Sequence, residues 1–174
     1  MKRLLPLLAL LTGCATQPPE GVRPVEGFEV SRYLGTWHEI ARLDHRFERG
    51  LVAVTATYSV RDDGSLRVIN RGFDPSACKW REAEGRAKFT GAPTTGQLKV
   101  SFFGPFYGGY TIFDLDHREY RWAAVSGPDR DYLWILARTP TLEPAVRERL
   151  VDEARSLGFA TERLIWVSQE VPPC

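Results

Sequence analysis

An all-β fold with one helix, an eight-stranded up-and-down antiparallel barrel carrying a C-terminal α-helix on its outside, follows from three features of the chain. Turn-forming residues recur roughly every eight to twelve positions, the rhythm of a barrel or sandwich. Between them lie eight runs of strand character, joined in succession by short connections. Only after the eighth run does the apolar period lengthen, once, to that of a helix. A meander of that strand count closes on itself and leaves no exposed edge.

The first run is Tyr33-Leu34-Gly35-Thr36-Trp37-His38-Glu39-Ile40-Ala41-Arg42. An apolar lead-in meets a glycine, which can take backbone angles closed to other residues, and Trp37 then heads a strand that must bury it. Leu51 to Val60 alternates, with Val54, Ala56, Tyr58 and Val60 on one face and Thr55, Thr57 and Ser59 on the other. Asp63-Gly64 supplies the positive-φ turn of a tight hairpin, and Leu66 to Phe73 returns with Leu66, Val68 and Asn70 opposite Arg67 and Arg71. In Glu82 to Phe89 the charged Glu82, Glu84, Arg86 and Lys88 face water, so the small Ala83, Gly85 and Ala87 face inward and leave space. Gln97 to Phe103 sets Leu98, Val100 and Phe102 against Lys99 and Ser101. The loop through Gly104-Pro105-Phe106-Tyr107-Gly108-Gly109 exposes two aromatics, Phe106 and Tyr107, more than a connection needs. Tyr110 to Asp116, Tyr120 to Ser126 and Tyr132 to Arg138 complete the set. Thr141 is placed to cap a helix with Pro144 in its first turn; Val146, Leu150, Ala154 and Leu157 form its apolar stripe, and Gly158 ends it. Leu164 to Val167 is a last short strand.

The chain opens with Lys2-Arg3, an apolar run from Leu4 to Leu11, and Leu11-Thr12-Gly13-Cys14. This is a charged n-region, a short h-region and a small-residue cleavage site, too short to span a membrane as a mature helix. Leu11 to Cys14 resembles the lipobox of bacterial lipoproteins, in which the cysteine becomes the acylated first residue. The expected organisation is therefore a leader over 1–13, a lipidated N-terminus and flexible Pro- and Gly-rich tether over 14–27, and one domain over 28–174. Ala15 is not the aspartate that usually retains such lipoproteins at the inner membrane, which favours the outer one.

The full sequence holds 23 Lys plus Arg against 22 Asp plus Glu. Lys2 and Arg3 leave with the leader, so the mature chain is nearly neutral and carries no nucleic-acid footprint. Of three cysteines, acylation of Cys14 leaves Cys78 and Cys174 either as a disulfide in an oxidising compartment or as two free thiols.

Gly35-Thr36-Trp37, Gly127-Pro128-Asp129-Arg130-Asp131-Tyr132 and Arg138-Thr139-Pro140 resemble, in order and spacing, the three conserved regions of the lipocalins. With the lipobox and Phe102 to Tyr110, the chain after Pro24 is similar to the bacterial outer-membrane lipoprotein group, close to the apolipoprotein D-like lipocalins. The resemblance implies that Trp37, after Gly35, closes the barrel floor with Arg138 across its ring, a cation–π pair. It also implies that function lies in the lumen. Period-2 reasoning nominates the lining: Val54, Ala56, Tyr58, Val68, Asn70, Ala83, Ala87, Val100, Phe102, Tyr110, Ile112, Trp134 and Leu136. That lining is largely apolar and suits an acyl chain, and the family makes fatty acids or lysophospholipids the expected partners. Asn70, Tyr58 and Tyr110 are candidates to hold a head group. His45-Arg46-Phe47-Glu48-Arg49-Gly50 brings Arg46 and Phe47 to the entrance; arginine suits a carboxylate or phosphate. Phe106 and Tyr107 fit an entrance flap, a homodimer contact or a membrane-facing patch.

Signals of catalysis are thin. His38, His45 and His117 show no metal-ligand spacing, and neither a nucleophile elbow nor a phosphate-cradling loop occurs, so no cofactor or metal is expected. Glu39 on the first strand is a candidate buried carboxyl. The reading is a lipid-binding, lipid-anchored envelope protein and not an enzyme; the alternatives are an enzyme acting on a lipophile in the same cavity and a structural lipoprotein with a filled barrel.

Overall fold

A computed structural model of the chain describes residues 16–174; the leader and Cys14 lie outside the described residues. Eight strands succeed one another: β1 Gly35–Arg42, β2 Val52–Val60, β3 Leu66–Asp74, β4 Lys79–Phe89, β5 Gln97–Phe103, β6 Phe106–Leu115, β7 Trp122–Ser126 and β8 Leu133–Ala137. Each pairs antiparallel with its sequence neighbour, and β1 also pairs with β8, which closes the barrel. The turn between β2 and β3 shows why the sequence reverses there: Gly64 has φ 77°, and the Asp63 carboxylate accepts bonds from the Ser65 backbone N–H and hydroxyl.

Closure is uneven. β1 pairs with β2 only from Gly35 to His38. Above that the two strands part, and the C-terminal segment enters between them: β9, Ile165–Trp166, pairs with β1, and the Ala53 N–H donates to the Ser168 carbonyl. The end of that segment is pinned by a disulfide between Cys78, in the β3–β4 turn, and Cys174. On the other side, β4 pairs with β5 only from Arg86 to Phe89. The upper half of β4 therefore projects with β3 as a two-stranded arm, leaving a gap in the wall.

Two cores result. Inside the barrel, Phe28, the short helix α1 (Val30–Tyr33), Trp37, Leu66, Leu98, Leu115 and Tyr120 fill the floor end. Outside, helix α2, Pro144–Ser156, lays Leu150 and Ala154 against Ile40, Ala124, Ile135 and Phe113. Pro144 stands in the first turn and Gly158 (φ 86°) ends the run, but Thr141 is not the cap. Glu143 holds that position without a side-chain bond, and the Thr141 carbonyl instead accepts from the Thr139 hydroxyl. From Thr16 to Gly27 the chain is a strap on the barrel wall: Val22 is buried in the outer core, the Val25 N–H donates to Ile112, and the Thr16 carbonyl accepts from the Gln97 amide. Backbone bonds to strand edges hold a segment whose Pro and Gly content alone reads as flexible.

Candidate functional site

The floor is sealed. Trp37 is 0 % exposed, its indole N–H donates to the Tyr33 carbonyl, and the Arg138 guanidinium lies 3.8 Å from its ring centre. Arg138 also donates to the carbonyls of Arg32, Leu34 and Thr36, tying α1 to the barrel. Gly35, at φ 90°, provides the bend into β1.

Burial changes toward the other end. Tyr58, Val68, Ala87, Ile112 and Leu136 are buried members of the inner cluster, and Val54 is buried against Gly72. Ala56, Val100, Phe102, Tyr110 and Trp134 pack on the same cluster yet remain partly exposed. Asn70 is half-buried, and Ala83, in register with it, is exposed. Burial of the inner-face side chains is therefore complete toward the floor and incomplete toward the rim.

Polar groups stand at two places in that lumen. The Tyr33, Tyr58 and Tyr110 hydroxyls form a chain, with Tyr110 2.8 Å from Tyr33 and 2.7 Å from Tyr58. Burial pushes all three phenols well above their ordinary range, so they are neutral donors and acceptors. Asn70 adds an enclosed carbonyl oxygen without a partner among the described residues.

The second place is an ion cluster that alternation alone does not reveal. A register shift between Glu39 and Ala41 in β1 turns Arg42 inward, where it is 1 % exposed. Its guanidinium lies 2.6 Å from the Glu39 carboxyl and donates to the Glu48 and Leu51 carbonyls. The entrance loop folds back so that the Glu48 carboxylate meets His45 Nε2 at 2.9 Å and accepts from the Trp134 indole at 3.1 Å. Burial first, then the neighbouring Glu48 charge, push the Glu39 carboxyl well above its ordinary range against the pull of Arg42. Burial also pushes Glu48 up, but the His45 bond and charge and the Trp134 N–H outweigh it and hold Glu48 below the ordinary range. The fold thus favours the protonated form at Glu39 and the ionised form at Glu48.

The sign of the pH effect follows. Between the unfolded Glu value of about 4.3 and the raised folded value, the native state holds the extra Glu39 proton, so this group's contribution to stability falls as pH rises. Glu39→Gln keeps an acceptor for Arg42 and a donor toward Glu48 while removing that titration. The variant should match the parent in urea denaturation near pH 4 and gain on it by up to about 1.4 kcal/mol per pH unit above that, until the folded value is passed. A stability difference that does not change between pH 4 and 8 would contradict the proton assignment.

At the rim the residues separate. Phe47 is 58 % exposed, with the exposed Arg46 5.1 Å from its ring. Phe106 is 68 % exposed, but Tyr107 is half-buried on the outer wall beside Lys99, and the second bare ring is Phe103, at 70 %. β6 begins at Phe106, in register with Phe103, so the hairpin tip is shorter than the loop read from the sequence.

Residues 28–169 match the lipocalin-like domain family. The chain is 58 % identical to the outer membrane lipoprotein Blc of Escherichia coli (strain K12) over 96 % of its own length and 98 % of that protein. Against the protein of the same name from Vibrio cholerae serotype O1 it is 53 % identical, covering 92 % and 94 %. Rat apolipoprotein D is 33 % identical over 83 % of each chain. Among solved structures, insecticyanin of the tobacco hornworm Manduca sexta superposes with a TM-score of 0.67 at 22 % identity, covering 87 % of this chain and 86 % of that one. With a closed eight-stranded antiparallel barrel, a sealed floor and a helix packed outside, the chain belongs to the lipocalin family.

Proposed function

We propose that the protein binds a single-chain lipid, a fatty acid or a lysophospholipid, in the upper lumen and stores or carries it at the outer membrane, to which acylated Cys14 anchors it. The observation that carries this reading is the set of inward-facing side chains, Ala56, Val100, Phe102 and Trp134, left partly exposed on the apolar cluster. An acyl chain covering them would contribute up to about 0.8 kcal/mol per buried methylene. The tyrosine hydroxyls and the free Asn70 oxygen offer hydrogen bonds to a carboxyl, glycerol or phosphate group. The anchored location is supported by the leader and Cys14 and by the outer membrane lipoproteins that this chain resembles. Among the described residues no helix is long and apolar enough to cross a membrane.

Displacement of a fluorescent fatty acid from the soluble domain tests the binding. Lysophospholipids and fatty acids should compete saturably and change the emission of Trp134, which lines the lumen. Failure of every single-chain lipid to compete would overturn the reading.

A further inference from the structure

We propose that the barrel sits rim-down on the bilayer that carries its anchor, with the β5–β6 hairpin tip in the lipid interface. The inference rests on the Cys14 anchor of the reading above and adds the orientation.

The strap sets the reach of the anchor. The Thr16 carbonyl accepts from the Gln97 side chain, and a Cβ at Gly109 would lie 3.0 Å from that carbonyl oxygen, so the strap presses on β6 where only a glycine gives it room. From there the strap runs to Val25, bonded to Ile112, and Phe28, bonded to Thr94 at the floor end. Between the two the strap turns at Pro19–Val22, where the Glu20 carbonyl accepts from Arg130 in the β7–β8 turn, and Thr16 comes to rest at Gly109, three residues nearer the rim along β6 than the Ile112 bonded to Val25. Cys14 is two residues before Thr16, and an extended chain gains at most about 3.6 Å per residue, so the acylated residue stays within roughly 7 Å of the wall beside Gly109. Phe106 is three residues along the same strand, about 10 Å away. A leash that short holds the hairpin tip against the membrane.

The tip has the chemistry of that environment. Phe103 and Phe106 are register partners, both more than two-thirds exposed, on either side of Gly104-Pro105. Lys99 and Tyr107 stand just below them on the outer wall, the pairing of a cation and an amphipathic ring that suits the head-group layer. Across the rim, Phe47 presents a third bare ring with Arg46 beside it. The opposite end exposes Asp62 and Asp63 in the β2–β3 turn. Rim-down seating also turns the gap above the Arg86–Ser101 pair toward the lipid, a side entrance for an acyl chain.

The test uses the full acylated chain in phosphatidylethanolamine and phosphatidylglycerol vesicles, with an environment-sensitive dye on Gly104→Cys or, as a control, on Asp62→Cys. Lipids carrying a nitroxide near the head group should quench the dye at 104 at least fivefold more than the dye at 62. Phe103→Ser with Phe106→Ser should weaken quenching at 104, and so should a spacer of about fifteen Gly and Ser residues inserted after Cys14. Equal quenching at both sites, or stronger quenching at 62, would overturn the orientation. Unchanged quenching with the long spacer would overturn the role of the strap. A dye at 104 shielded without vesicles and unaffected by the nitroxide lipids would identify a second copy of the chain as the occupant and overturn the proposal. A mature chain whose mass shows no acyl group would remove the anchor and the proposal with it. The displacement titration separates the two readings: a barrel that binds no lipid yet lies rim-down fails only the first, and one that binds lipid but stands off the membrane fails only this one.

Discussion

Replacing Cys78 and Cys174 by serine should lower the unfolding free energy by roughly 4 to 5 kcal/mol, the chain-entropy value for a loop of this length. The two positions are 96 apart in sequence, so the bridge excludes a large share of the unfolded ensemble. It also has a native-state consequence. The C-terminal segment lies between the upper halves of β1 and β2, held by Val167 to Ile40, by Ser168 to Ala53, and by the Gln169 amide to the Glu39 carbonyl. Without the covalent pin those few bonds must hold the wedge alone, and the barrel wall next to the ion cluster would open. Thermal unfolding should shift down by roughly 10 °C or more for a domain of this size, and reduction of the parent should reproduce the shift. A change under about 1 kcal/mol would mean that the tail seals nothing.

Trp37→Ala should cost roughly 3 to 5 kcal/mol, the range for deleting a large aromatic from a packed core. The indole is fully enclosed, lies tilted against Tyr33 with ring centres 4.7 Å apart, and carries the Arg138 guanidinium over its ring. Removing it leaves a void at the floor and takes the π-face from a guanidinium that burial already disfavours as a cation. Arg138→Ala should cost less, since the cation–π share is about 0.5 to 2 kcal/mol, with the α1 carbonyl bonds lost in addition. Both variants, measured where they remain folded, should keep their affinity for a single-chain lipid within about twofold, because the floor is remote from the open lumen. Loss of binding in step with stability would move the site to the floor.

The barrel was legible because a strand with one wet face writes its burial into alternation: Leu66, Val68 and Asn70 point one way and Arg67 and Arg71 the other. The features that were not legible share one cause, a break in that regularity. The register shift in β1 brings Arg42 into the lumen, where strict alternation would have placed Ala41. Another between Val100 and Phe103 pairs Phe103 with Phe106 at the tip, so Phe103, and not Tyr107, is the second exposed ring there. Glu48 and His45 belong to a loop that reads as solvated, yet they become interior through contacts with Arg42, six residues before Glu48, and with Trp134, 86 residues after it. The strap from Thr16 to Gly27 is fixed largely through its own carbonyls and N–H groups, bonded to the Gln97 and Arg130 side chains and to the Ile112 and Gly96 main chain, and its Pro and Gly content announces none of this.

Native mass spectrometry of the mature protein taken from its own envelope, followed by identification of the released lipid, tests the central claim most directly. The account predicts one single-chain lipid per barrel, lost or weakened when the lumen is filled by Ala56→Trp. Protein that leaves the membrane with an empty barrel, and takes up no fatty acid or lysophospholipid when these are supplied, would contradict it.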